Sequence, residues 1–290
     1  MDRRKFVCAC GGFSLGVSQL SRAITPGMPE EDGSTKVELP KAGPKPALVG
    51  GATGSGGTLQ AALAASKGCS RIRFGTKEDT GTGPLRRTSG VPILDNMLAQ
   101  ESERLSAMFE TRPGVAWFVD EGSGNAFATP EQFLGSADGT IAMGIRLSIN
   151  MILRYGQGLG VYSSWIAMAV LAHEFGHITQ FKRLESHRLR HTSKYPELHA
   201  DFLAGAYMAQ RALEAYRFNG TDLMPALNTA VHQFFTLGDT SFHSRDHHGT
   251  GTERARAFSG GVLLTQRVAT SGGHIAFEEV FNVARQAAGY

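Results

Sequence analysis

Trp165-Ile166-Ala167-Met168-Ala169-Val170-Leu171-Ala172-His173-Glu174-Phe175-Gly176-His177 is the stretch on which the reading of this chain turns. Ser163 or Ser164 can cap a helix that starts at Trp165 and runs to about Lys182. Its first half is apolar on every side, as in a helix at the centre of a domain. Charged and imidazole groups there need partners, because a buried polar group without one costs roughly 1–3 kcal/mol. His173 and His177 are four residues apart and sit one above the other on one helix face, so two imidazoles can hold one ion. Glu174 projects beside them and can take a proton from a water on that ion. Composition alone would place this five-residue pattern in roughly two of a hundred such chains, so its surroundings must decide.

A catalytic metal site needs a third protein ligand and an open position. One arrangement puts a Gly and a third His at three and six residues past the second His; Gln180 and Arg183 stand there instead. A second uses an Asp after a Gly-Thr pair, and no suitable copy follows the helix. A third uses a Glu from a later helix. Tyr195-Pro196-Glu197-Leu198-His199-Ala200-Asp201 supplies it, with Pro196 suited to the first turn of a helix that continues to about Arg217. Asp201 shares a helix face with Glu197 and can accept the ring N–H of a ligand histidine, fixing its tautomer. His187 and His191 lie in a Ser/Arg/Lys-rich connection and read as solvated, while His199 points away from Glu197.

Outward from these two helices the chain divides into three parts. Residues 91–290 form an α+β domain. Pro92 to Phe109 has the apolar spacing of an amphipathic helix; Val115 to Val119, Asn125 to Ala128 and Thr140 to Ile145 are strand candidates. Residues 24–90 are rich in Gly and Pro and read as a linker or pro-segment. Within them, residues 47–65 resemble the glycine turn and helix of a dinucleotide site. The second strand that should end in an acidic residue is instead the basic Arg71-Ile72-Arg73 run. Residues 1–23 begin with Arg3-Arg4-Lys5-Phe6 and close on Ser21-Arg22-Ala23, the form of a twin-arginine export signal with a cleavage site. Cys8 and Cys10 fall inside that signal, leaving Cys69 alone in the exported form, which implies a periplasmic or other extracytoplasmic protein without an intrachain disulfide. A net charge of +3 over 290 residues, with no basic block interleaved with aromatics, excludes a nucleic-acid partner. No apolar run is long enough for an integral membrane segment.

His173-Glu174-Phe175-Gly176-His177 followed by Glu197-Leu198-His199-Ala200-Asp201 resembles the gluzincin metallopeptidases. It is closest to the bacterial neutral zinc metallopeptidases and more distantly similar to the HtpX and CaaX-protease group. Asp239, Phe242 and His248-Gly249-Thr250-Gly251-Thr252-Glu253-Arg254 resemble the Asp…His-Gly-Thr…Arg segment of those families. Asn125 to Ala128 with Gly139 to Ala142 resembles their edge-strand region. The likeness covers about residues 91–265, with departures at His199 and Phe202. It implies a zincin-like fold: a small mixed sheet on an active-site helix, followed by a mainly helical part. It also implies one zinc ion and hydrolysis of a peptide or protein substrate. His173, His177 and Glu197 are then the ligands and Glu174 the general base. His248 or Arg254 steadies the oxyanion or braces the helix, or Arg254 pairs with Asp239 or Asp201. The substrate is expected to lie along Gly139 to Leu147 as an added strand. Two other classes stay open: a zinc-holding envelope module without hydrolase activity, and a nucleotide-dependent oxidoreductase working through residues 47–65.

Overall fold

A computed structural model of the chain describes residues 85–120, 126–156, 159, 162–184, 194–236, 248–273 and 275–289. The expectations for the export signal, the three cysteines and the glycine turn lie outside the described residues. So do those for Asn125, His187, His191, Asp239 and Phe242. The described residues form a mixed α+β body in chain order: helix α1 (Pro92–Phe109), strands β1 (Gly114–Phe118), β2 (Ala126–Thr129) and β3 (Thr140–Gly144), then helices α2 (Ile145–Tyr155), α3 (Trp165–Arg183), α4 (Lys194–Asn219), α5 (Met224–Thr236), α6 (Gly251–Thr270) and α7 (Phe277–Ala288). Among the described residues no helix is long and apolar enough to cross a membrane.

The sheet has the order β1-β3-β2. β3 runs parallel to β1, pairing Ala116 with Ala142, and antiparallel to β2, pairing Phe127 with Ala142. The expected docking edge at Gly139 to Leu147 is therefore corrected. β3 is the central strand with both sides paired, and Ile145 to Leu147 already belong to α2. The strand turns into helix without a breaker because Asp120, buried after β1, caps the new helix. Its carboxylate accepts from Arg146 N at 2.6 Å and Leu147 N at 2.8 Å, where the helix dipole favours an anion. Residues 85–90, read from the sequence as linker, are tied to this body. Arg86 and Trp117 exchange backbone hydrogen bonds of 2.7 and 2.9 Å, and Thr88 and Ser89 donate to Asp95.

α3 is the axis of the fold. Every residue from Trp165 to Gln180 is buried, as an all-round apolar helix requires. It packs on β2 and β3 on one side and on α1, α2, α4 and α5 around the rest. Ser164 stands at its N-terminal boundary but its side chain makes no capping bond, contrary to the sequence expectation. Behind the motif, Phe175 meets Phe109 edge-on at 6.3 Å, and Phe109 stacks on Phe277 at 5.0 Å.

Glycines set how closely the helices approach. A Cβ on Gly176 would lie 2.9 Å from Ala200 Cα, so α3 and α4 touch at the motif itself. A Cβ on Gly205 would lie 1.9 Å from the Phe258 carbonyl oxygen, and one on Gly261 2.0 Å from that of Phe202. Neither backbone can yield without separating α4 from α6. Gly205→Ala is expected to destabilise the fold by roughly 3 kcal/mol, an overpacking cost at the upper end of the usual range. That lowers the midpoint of thermal unfolding, followed by circular dichroism, by about 6–12 °C. An unchanged midpoint would show that the crossing is looser than described.

Candidate metal centre

The face of α3 that carries His173 and His177 meets the first turns of α4. Glu197 lies in the first turn of that helix. The three side chains are fully buried. Their inner atoms converge: His173 Nε2 and His177 Nε2 are 3.0 Å apart, and Glu197 places Oε2 3.2 Å from the first and Oε1 3.3 Å from the second. Among the described residues, His173, His177 and Glu197 form a group whose candidate ligand atoms all lie within 4.8 Å of one another. Two imidazole nitrogens and a carboxylate aimed at one point, away from water, would repel one another or compete for a proton. A cation between them satisfies all three, and this donor set suits a divalent metal. Glu174 is equally buried and follows His173 directly on the same helix.

Further partners surround the three candidate donors. Asp201, one turn after Glu197, pairs with His173, its Oδ1 lying 2.8 Å from Nδ1, as the sequence spacing suggests. Arg254 grips the same carboxylate with two bonds, Nε to Oδ2 and Nη2 to Oδ1, each 2.7 Å, and its Nη2 also comes within 3.4 Å of Glu197 Oε2. At 1% exposure this guanidinium braces the centre from behind. Of the two partners foreseen for it, Asp201 is the one observed; Asp239 lies outside the described residues. Arg254 is placed by the start of α6, where Thr250 and Glu253 form a reciprocal cap and Lys194 pairs with Glu253 at 2.5 Å. His248, two residues before that cap, brings Nδ1 to 3.5 Å from Glu197 Oε1 with a fifth of its side chain exposed. It is the one member of the cluster that reaches solvent.

Sequence reasoning passed over Gln180 and His199. Gln180 Oε1 lies 3.1 Å from His177 Nδ1, and its Nε2 donates to the Pro196 carbonyl at 2.7 Å and to His199 Nδ1 at 3.0 Å. The i,i+3 spacing from His177 was the available signal for Gln180. His199 does point away from Glu197, but toward this amide.

Charge follows from these contacts. Burial alone would lower the His173 pKa, but the hydrogen bond and charge of Asp201, and then those of Glu197, outweigh it and hold the group up to about 9. Glu197 is held well below the usual carboxylate range. Burial opposes this, but the histidines around it outweigh burial, His177 first and then His173 and His248. Burial pushes His177 down and takes His199 to about 3. Because the folded pKa of His173 exceeds its unfolded value of 6.5, its stabilising contribution is complete below pH 6.5 and is lost as pH rises through about 9. The same proton must leave before an ion can use Nε2. Apparent zinc affinity, measured by competition with a chromophoric chelator, is therefore expected to rise about tenfold per pH unit from neutrality to about pH 9 and then level off. A flat profile over that range would contradict a protonated His173.

Comparison of the chain with models of protein families, with curated proteins and with solved structures returns no match.

Proposed function

We propose that the chain is a zinc-dependent peptidase of gluzincin type, with one zinc ion held by His173, His177 and Glu197. The observation that carries this reading is the convergence of those three buried donors, with the buried Glu174 next to His173 on the same helix. The small mixed sheet packed on the motif-bearing helix supports a zincin-like fold. The export-type sequence at the start of the chain supports an extracytoplasmic site of action. When bound, zinc supplies a Lewis acid that polarises the scissile carbonyl and lowers the pKa of water from 15.7 to about 7. Glu174 takes the proton of the attacking water and passes it to the leaving amine. Asp201 and Gln180 hold the two imidazoles in place, and Arg254 holds Asp201. The exposed edge of His248 supports giving it, rather than the buried Arg254, the task of steadying the oxyanion.

The complete burial of all three ligands favours a second reading, a closed zinc-holding module without hydrolase activity. One experiment separates the two. The full chain, loaded with one equivalent of zinc, is incubated with an unstructured protein, with and without a chelator. The peptidase reading expects cleavage that the chelator stops and added zinc restores. Stoichiometric zinc and a chelator-sensitive melting temperature without any cleavage would establish the closed module instead.

A further inference from the structure

The two ligand histidines are braced by different chemistry. His173 leans on a carboxylate; His177 leans on the amide of Gln180, which is fully buried. The roles around that amide follow from one atom. The Pro196 carbonyl can only accept, and it lies 2.7 Å from the Gln180 nitrogen, so that nitrogen donates and the amide oxygen faces His177. An amide oxygen can only accept, so the Nδ1 of His177, 3.1 Å away, carries the proton. The second amide hydrogen points at His199 Nδ1, 3.0 Å away, which must accept. The proton of neutral His199 is therefore on Nε2, which donates to the Phe281 carbonyl in α7 at 3.3 Å. The His199 ring is fixed edge-on against Phe281 at 4.7 Å.

This chain of bonds leaves the Nε2 of His177 with its lone pair directed into the centre, 3.0 Å from His173 Nε2 and 3.3 Å from Glu197 Oε1. The other tautomer would present an N–H to the ion. We propose that Gln180 is a positioning residue that locks His177 in its Nδ1–H tautomer for metal binding, and that His199 and the Pro196 carbonyl set the orientation of Gln180. The inference rests on the reading of the centre as a zinc site, and it adds a brace running from the metal ligand through α4 to the last helix. It predicts that tautomer control at His177 can be separated from packing at Gln180. A methionine there fills the space without an acceptor. A glutamate keeps the acceptor for His177 but sets a carboxylate against the Pro196 carbonyl.

The test uses the full chain, Zn2+ alone as the probe, and Q180M and Q180E beside the unaltered protein. Q180M is expected to bind zinc 10–100-fold more weakly, the usual loss when a ligand's outer partner is removed. Q180E is expected to melt at a lower temperature yet bind zinc within about threefold of the unaltered chain, a margin well inside that loss. A residue that merely packs would move affinity and stability together in both variants. Nitrogen-15 NMR of the unaltered, zinc-free protein gives a readout that needs no variant: the neutral His177 ring is expected to carry its proton on Nδ1. A proton on Nε2 there, or Q180M binding zinc as tightly as the unaltered chain, or equal losses in Q180M and Q180E, would overturn the proposal. Failure of the unaltered chain to bind zinc at all would instead remove the zinc reading on which it stands.

Discussion

Glu174→Gln is expected to abolish peptide hydrolysis while zinc stays bound at one equivalent. Glutamine has nearly the shape of glutamate, so the buried space beside His173 and His177 stays filled and the three donors at the ion are untouched. What disappears is the only step assigned to this side chain, removal of a proton from water and its delivery to the leaving amine. General acid–base catalysis contributes roughly 100- to 10,000-fold, so the turnover number should fall by at least about 100-fold, a barrier increase of roughly 3 kcal/mol. The measurement pairs the cleavage rate of an unstructured protein with zinc content by elemental analysis. A variant with full zinc and undiminished cleavage would remove Glu174 from the mechanism. Loss of zinc together with activity would make Glu174 part of the metal's support.

The second large effect concerns stability. Asp201→Ala takes from the Arg254 guanidinium, which is buried to 1% exposure, the carboxylate that accepts its two 2.7 Å bonds, and leaves Glu197 Oε2 at 3.4 Å as a weaker counter-charge. Removing one partner of a buried ion pair costs roughly 3–5 kcal/mol, and the residual pairing with Glu197 sets the expectation at the lower end of that range. The same change releases His173 Nδ1, so zinc affinity should fall 10–100-fold as well. The two losses have different causes, and a double variant separates them. Asp201→Ala with Arg254→Met removes both charges and should recover most of the stability but little of the zinc affinity. Thermal unfolding of the metal-free proteins and chelator competition read the two quantities independently. Recovery of both in the double variant would mean that Asp201 serves Arg254 alone.

The convergence of the candidate donors was legible because helical periodicity is local. His173, His177 and the Glu197–Asp201 pair are each fixed by spacing within one helix, and the structure brings all four together. The long helices α1, α3 and α4 were legible for the same reason. What spacing could not supply was anything set by a partner distant in the chain. Arg254 had two acidic candidates until the start of α6 was placed against α4. β3 read as an edge because strand order depends on which neighbours pair, and its sequence, Thr140-Ile141-Ala142-Met143-Gly144, is equally apolar at either position. The onset of α2 was hidden because its cap, Asp120, comes from another segment. Gln180 escaped because its i,i+3 spacing from His177 is a weak signal until the Pro196 carbonyl and His199 are seen against it.

The braces of the centre come from later in the chain than the ligands they hold. Arg254 lies 53 residues beyond Asp201, and Phe281 lies 82 residues beyond His199. During synthesis, at roughly 5–20 residues per second, the three donors leave the ribosome several seconds before α6 and α7 exist to fix them. Through that interval α3 and α4 already carry Asp201 and Gln180, but Arg254 and Phe281, which fix Asp201 and His199, are still to come. On the metal-site reading proposed above, the order of synthesis makes metal capture an early, loosely held event and geometric selection a late one, completed only when α7 docks.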